Sequence, residues 1–460
     1  MTSADAVTTE HDNPLAEAWQ ALTNTREPPP ALMLDAPARY LSSPFALDEI
    51  AVAAIGCALL AAAELAQARG GRRPEVALER AHAALAFASE RHLRVDGALE
   101  PGFGPLSRFA RTADGHIRLH ANYPHHRAAL LRALGDLPQE EALEAIATRR
   151  AEELEGAIIA QGGAAAAVRD AEQWLAHPQG KAAGKLPLID VEPGDADVRG
   201  LPSNGSLPCS GVRVLDFTRV IAGPVGTRML AALGAEVLRV DPPAMPELEL
   251  QVLDGMVGKR SAFVDARSAN GREGIERLLA GADVVVQGYR PGALAALGLD
   301  AGALRERHPH LVTVTLSAWG KSGPWAGRRG FDSLVQAACG IALACGRDGL
   351  PGALPVQALD HATGYLIAAS ALHGLSERAR SGRPAHARLA LARTAAWAMS
   401  HRAPVAPTVE ADAERYLAEV SSPRGPLRCI SPPGALDGRA LAWPRGVPAP
   451  GSDAPAWFSV

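Results

Sequence analysis

At 460 residues the chain is too long for one ordinary core, and its length argues for two or three domains. With 47% hydrophobic and 21% charged residues it has the profile of a globular protein, not a disordered one. A formal net charge of −4 gives no global pull toward nucleic acid or anionic membrane, so neither is expected as a partner and any anionic ligand must be attracted locally.

In chain order, residues 1–40 are polar and proline-bearing, with Pro28-Pro29-Pro30, and read as a loose arm. They hold Asp5, Glu10, Asp12 and Glu17 but no Lys or Arg before Arg26, and they lack the basic and apolar segments of a signal peptide; a cytoplasmic location is expected. Residues 41–112 carry alanine and leucine at helical period. Their most apolar stretch, Ile50 to Ala66, is about 17 residues long and broken by Gly56 and Glu64, which suits a buried helix better than a membrane span. Residues 113–185 read as a small α+β domain with a strand candidate at Ile117–His120, and 186–210, dense in proline and glycine, as a linker. The cysteines Cys57, Cys209, Cys339, Cys345 and Cys429 are scattered without a C-x-x-C pair, which argues against a disulfide framework or a structural zinc site.

From Val212 the texture changes to strands alternating with helices. Strands are expected at Val212–Asp216, Glu236–Val240, Ala262–Val264, Asp283–Gln287 and Leu311–Leu316, and helices at Gly226–Leu233 and Gly271–Ala280. This alternation implies βαβ units. The predicted fold class is α/β, a Rossmann-like, mostly parallel sheet over 211–400, preceded by a helical segment and a small α+β domain. Residues 401–460 are a short connection and closing tail. A functional crevice then lies at the carboxyl ends of the strands, in the loops after Asp216, Val240, Gln287 and Leu316.

An internal repeat stands out. Ala46-Leu47-Asp48 precedes an alanine-rich helix and Arg73-Pro74; Ala358-Leu359-Asp360 precedes a similar helix and Arg383-Pro384. The Asp-to-Pro spacings are 26 and 24, so 41–112 is read as a partial copy of 357–400, with Asp48 and Asp360 in comparable positions. In the loop after the first strand, Asp216 to Gly226, the small residues Ala222, Gly223 and Gly226 let a ligand approach a helix start whose free N–H groups attract phosphate. It is not G-x-G-x-x-G, so the dinucleotide fingerprint is absent.

These segments form an ordered set that resembles the family III CoA-transferases. The set comprises Gly211 to Pro224, Leu233 to Pro242, Gly258-Lys-Arg-Ser261, Ala282 to Gly292, Gly320 to Pro324, Gly330-Phe-Asp332 and Ala358 to Gly364, about 190 residues in the family's order. The resemblance implies that 211–400 binds coenzyme A and that Asp360 is the catalytic nucleophile. It puts Val220 and Ala222 in backbone contact with CoA, Val264, Ala266 and Arg267 at the adenine and its phosphates, and Gly288 and Tyr289 on the pocket wall. Arg329, Phe331 and Asp332 fall near the thioester. Guanidinium donors at Arg267 and Arg329 suit a polyanion independently.

The implied activity moves CoA between an acyl-CoA thioester and a small carboxylic acid through an aspartyl anhydride and an aspartyl-CoA thioester, with CoA as substrate and neither metal nor redox cofactor. A homodimer is the implied assembly. Asp360 also reads as the N-cap of the following helix, whose terminus would keep the carboxylate ionised. In one departure from the family, the segment from Ala113 through Gly135 resembles the start of its small domain but precedes the βαβ region. His116, His120, His125 and His126 have no acid or thiol at ligand spacing, so polar pairing at a helix start is expected there, not a metal. Two other readings are an α-methylacyl-CoA racemase and a non-catalytic CoA-thioester-binding subunit. The first needs two acid–base groups. The resembling racemases have histidine where this chain has Phe331, and His361 is expected to point away from the site.

Overall fold

A computed structural model describes residues 13–98, 102–194, 200–201, 205–404 and 406–458. The chain begins with helix α1 (Pro14–Thr23), for which Asn13 caps the first turn and Pro14 sits at the first helical position. Ala18, Trp19 and Leu22 bury one face of α1 against helix α2 (Leu47–Ala68). The loose-arm expectation is therefore corrected for 14–23; residues 1–12 lie outside the described part. Helix α2 has the length and apolarity to cross a membrane, but it is a core helix, with residues on all its faces buried in protein.

The small α+β unit is an antiparallel sheet of Phe109–Thr112, Gly115–Leu119 and Ala165–Ala167. Helix α3 (Pro124–Ala133) and the helices Ala142–Ala147 and Ala151–Ala160 cover it through Leu130, Ile146, Leu154 and Ile158. The unit starts before residue 113. Its predicted last part turns away: Gln179 donates to the carbonyls of Trp319 and Ser322 and accepts from Trp325 N–H, which fixes the helix Pro178–Ala183 to the larger unit.

That larger unit is a seven-stranded sheet, numbered here in chain order as β1 (Asp190–Pro193), β2 (Arg213–Phe217), β3 (Glu236–Asp241), β4 (Arg260–Phe263), β5 (Val284–Gln287), β6 (Val312–Ser317) and β7 (Ala385–Ala390). The spatial order is β4-β3-β2-β5-β6-β7-β1, all parallel except the edge pair β7–β1. The expected linker thus contributes a strand. β1 is too short and polar to announce itself and exists by pairing along Ala385–Arg388. Burial of both faces explains the continuous valine runs of the central strands. Val214, Val284, Val286, Val312 and Val314 pack toward the helices on one side, while Leu215, Leu238 and Val285 meet Ile275, Leu278 and Leu279 of the opposite helix Ala269–Gly281.

On the first face lie helices α4 (Ala222–Ala232), α5 (Asp332–Ala338) and α6 (Ala358–Ser381), with α6 packed along α2. The closing tail is also structured. Leu417–Ser422 and Gly425–Ile430 form a small sheet with Arg94–Val95, and Asp453 bonds Arg260 and the Ser261 N–H beside β4. Chain order reverses between β2 and β5. This is the switch point at which an open α/β sheet leaves a crevice.

Candidate active site

A cavity of about 640 Å³ opens there, between the carboxyl ends of the strands and the small unit. Its first wall is the turn from β2 into α4. Beneath it, Lys259 donates to Asp216 at 3.0 Å, to the Pro224 carbonyl at 3.0 Å and to Thr227 at 2.6 Å, all fully buried. Burial alone would raise the Asp216 carboxyl, but Lys259 and Arg239 hold it below its ordinary value; burial pulls Lys259 down to about 8. This network fixes the end of β2 to the first turn of α4. In between, Val220 takes φ +70°, a conformation costing a β-branched residue roughly 1–3 kcal/mol. Its N–H donates to Glu247 at 3.1 Å, which holds the strained turn and delivers the uncapped start of α4, at Ala222, to the cavity.

Glu247 is a hub that the sequence did not reveal. It accepts from Arg219, Arg239 and the Tyr123 hydroxyl of the small unit, and these two arginines outweigh burial to bring its carboxyl down to about 2. A second link between the units runs from Arg329 to the Gly162 carbonyl at 2.9 Å.

Asp360 reaches the cavity because α6 crosses α4 at very close range. A Cβ on Gly364 would stand 2.6 Å from the Ala222 carbonyl oxygen, and one on Gly226 2.6 Å from the Gly364 carbonyl oxygen. Only glycine at both positions permits this approach, which sets the first turn of α6 beside that of α4. Asp360 is not the N-cap, as Gln357 takes that place.

The expectation of an ionised, helix-stabilised carboxylate is corrected too. The first-turn donors that could serve Asp360 are already used, since the N–H groups of Leu359 and Asp360 donate to Asp332 at 2.8 and 2.9 Å. Asp360 is 6% exposed and, among the described residues, its carboxyl has no hydrogen-bond partner. Burial, then the Asp332 and Glu90 carboxylates, push it well above the ordinary range. Burial also raises Asp332, to about 6, despite its donors. The result is a carboxyl kept poorly solvated and unneutralised, the condition that makes it a strong nucleophile once ionised.

The cavity gathers ten of the eleven residues singled out from sequence: Val220, Ala222, Val264, Ala266, Arg267, Gly288, Tyr289, Arg329, Phe331 and Asp360. Asp332 is the exception. It lies behind the wall, 1% exposed, and positions Asp360 from beneath. The lining also includes Arg219 and Arg290, which motif matching passed over. Among the described residues, Arg267, Arg290 and Arg329 form no ion pair with a carboxylate. His361 pairs with Glu90 at 3.1 Å and stacks on Phe87, outside the cavity lining, as its place in α6 suggested.

No group of metal-ligating side chains occurs among the described residues. The histidines do not pair as expected either. His120 lies flat on Phe331 with ring centroids 3.5 Å apart, His126 meets the same ring edge-on, and both ring nitrogens of His126 are buried without a partner among the described residues.

Comparison with known proteins gives this geometry a context. Residues 209–429 match the sequence model of CoA-transferase family III. The chain is 36% identical over 194 residues to a protein of Mycobacterium tuberculosis named probable fatty acyl-CoA transferase Rv3272, covering 39% of this chain and 49% of that one. It is 33% identical over 189 residues to succinyl-CoA:glutarate CoA-transferase of Mus musculus, covering 38% and 43%. The chain spans about half the length of the curated relatives it matches. A crystal structure of a CAIB/BAIF family protein from Brucella suis aligns with a TM-score of 0.37 at 29% identity, covering 48% of this chain and 65% of that one. Through residues 209–429, just under half of its length, this chain is similar to CoA-transferase family III.

Proposed function

We propose that the chain is a CoA-transferase that moves CoA between an acyl-CoA thioester and a free carboxylic acid, with Asp360 as covalent nucleophile. The observation carrying this reading is a single cavity at the sheet's switch point that joins a buried carboxyl to arginines, neither having a hydrogen-bonded or ionic side-chain partner of opposite charge among the described residues. Arg267 and Arg290 suit the phosphates of CoA, and the uncapped start of α4 offers N–H groups to an anion. CoA enters as a substrate.

In the proposed sequence, a carboxylate oxygen of Asp360 attacks the thioester carbonyl and the CoA thiolate leaves, forming a mixed anhydride. The thiolate attacks the aspartyl carbonyl, giving an aspartyl-CoA thioester and releasing the first acid. The second acid's carboxylate attacks that thioester, the thiolate leaves again, and its attack on the new acyl carbon yields the product thioester and restores Asp360. The chain's kinship with CoA-transferases acting on several acyl-CoA and acid pairs supports the reaction class. The test is incubation of the purified protein with a panel of acyl-CoAs and free acids, followed by mass spectrometry of the thioesters. New acyl-CoA species dependent on both substrates are expected. Hydrolysis alone, or no exchange with any pair, would overturn the reading.

A further inference from the structure

The cavity wall built by α3 carries a buried histidine that the chemistry at Asp360 does not use. His126 is 3% exposed and lines the cavity, and among the described residues neither Nδ1 nor Nε2 has a hydrogen-bond partner. Nδ1 of the adjacent His120 is also buried and unpaired. Buried polar nitrogens without partners are uncommon in native proteins, and three on two neighbouring histidines mark a place that a ligand completes.

The surroundings define that ligand. The titratable and charged groups facing His126 are His120, Tyr123 and His125 from the small unit and Arg219 and Arg329 from across the cavity. Glu247 stands behind them, already engaged by Tyr123, Arg219 and Arg239. Burial, His125 and the two arginines push His126 down to about 3, so the ring is neutral in a cationic corner. An incoming anion with oxygen acceptors relieves that repulsion and accepts from the N–H of the ring. Arg329 donates to the Gly162 carbonyl and has no carboxylate partner among the described residues, so it can share the anion.

The position points to the acyl end of the cavity. His126 packs on Phe331, and the next residue, Asp332, holds the Asp360 N–H. We propose that His126, with Arg329 beside it, is a specificity-determining residue that hydrogen-bonds a second carboxylate on the acid substrate and so selects short dicarboxylic acids over monocarboxylic acids of equal length. This assignment rests on the CoA-transfer reading.

The test uses His126→Phe, which keeps a ring against Phe331 but removes both nitrogens, and His126→Gln, which keeps a donor. Glutarate and pentanoate are compared in two ways: as acceptors, by the ratio of their kcat/KM values, and as ligands, by the thermal shift each gives the CoA-saturated protein. The wild type should favour glutarate in both. His126→Phe should cut the kcat/KM ratio by about tenfold, the scale of one charge-assisted hydrogen bond, and lose the glutarate shift, with partial recovery in His126→Gln. The shift given by CoA alone should persist in both variants and reports their folding. A wild type indifferent to the second carboxylate, or a His126→Phe protein with unchanged ratio and shift, overturns the proposal. A His126-dependent glutarate shift in a protein with no transfer activity would keep the site and reject the transferase reading.

Discussion

Helices α2 and α6 enter through the same turn. Ala46 and Gln357 have φ, ψ of −76°, 59° and −76°, 62°; the next N–H donates two residues back at 2.8 Å in each, and Pro44 and Pro355 stand two residues before. Each helix is followed by a strand and a second helix, Val76–Leu78 with Arg80–Ala86 in one case and β7 with Leu391–Ser400 in the other. The shared backbone shifts the predicted register by one. Glu49, not Asp48, corresponds to Asp360. The carboxylates also differ in company. Asp48 accepts from the Tyr40 and Leu41 N–H groups at 3.0 and 3.2 Å, whereas Asp360 has its nearby N–H groups taken by Asp332 and faces the cavity. Matched helices thus carry one acid held by backbone N–H groups and one left without them; hydrogen-bond supply and access to the cavity separate the two.

The largest expected contrast is between the two alanine substitutions. Asp360→Ala should reduce transfer by about 10⁴-fold or more while acyl-CoA binding persists, because the group forms bonds during turnover. Asp48→Ala should leave the rate per folded molecule unchanged and cost about 1–3 kcal/mol of stability by orphaning the part-buried Tyr40 and buried Leu41 N–H groups. Denaturant midpoints and transfer rates on the same preparations check both.

The glycines give the next contrast. A Cβ on Gly364 meets the Ala222 carbonyl and Val225, which cannot yield without displacing α4; one on Gly56 meets the tip of Leu32, a side chain that can swing. Gly364→Ala should therefore destabilise by about 1–3 kcal/mol and impair transfer, and Gly56→Ala should be close to neutral.

Much of the sheet was legible in the sequence because buried parallel strands leave valine runs, as at Val284–Gln287 and Val312–Ser317. Helix α1 was missed although Asn13-Pro14 and the spacing of Ala18, Trp19 and Leu22 announce it; the triple proline nearby drew the segment toward an arm. The loop residues of the cavity were legible through the family resemblance. The positions of Asp332 and Glu247 were not, because Asp332 holds the Leu359 N–H 27 residues on and Glu247 holds the Val220 N–H 27 residues back and the Tyr123 hydroxyl 124 residues back. The repeat register failed for a related reason: identical letters were aligned, while the turn geometry follows the prolines.

A smaller effect concerns the arginines. Arg267 is exposed, so Arg267→Ala should weaken CoA binding by roughly 1.5 kcal/mol, about tenfold in Kd, with the chemical step little changed. Isothermal titration with CoA separates this from the Asp360 variants.

The smallest effect is a change in stability with pH. The Asp360 carboxyl is raised above its unfolded value, so its ionisation opposes folding as pH rises through the folded pKa, and the burden vanishes below about pH 4. Asp360→Asn should therefore raise the thermal midpoint more at pH 7 than at pH 4, an inactive but sturdier protein. The opposite ordering would mean that Asp360 is a stabilising ion like those of the salt-bridged strand ends.

The central claim is that Asp360 becomes covalently acylated, and hydroxylamine added during turnover tests it most directly. Attack on the aspartyl anhydride or thioester leaves a hydroxamate at Asp360. The account predicts a mass shift on the peptide containing Asp360, dependent on acyl-CoA and absent from the peptide containing Asp48. A protein that transfers CoA at its full rate with both peptides unmodified would contradict it.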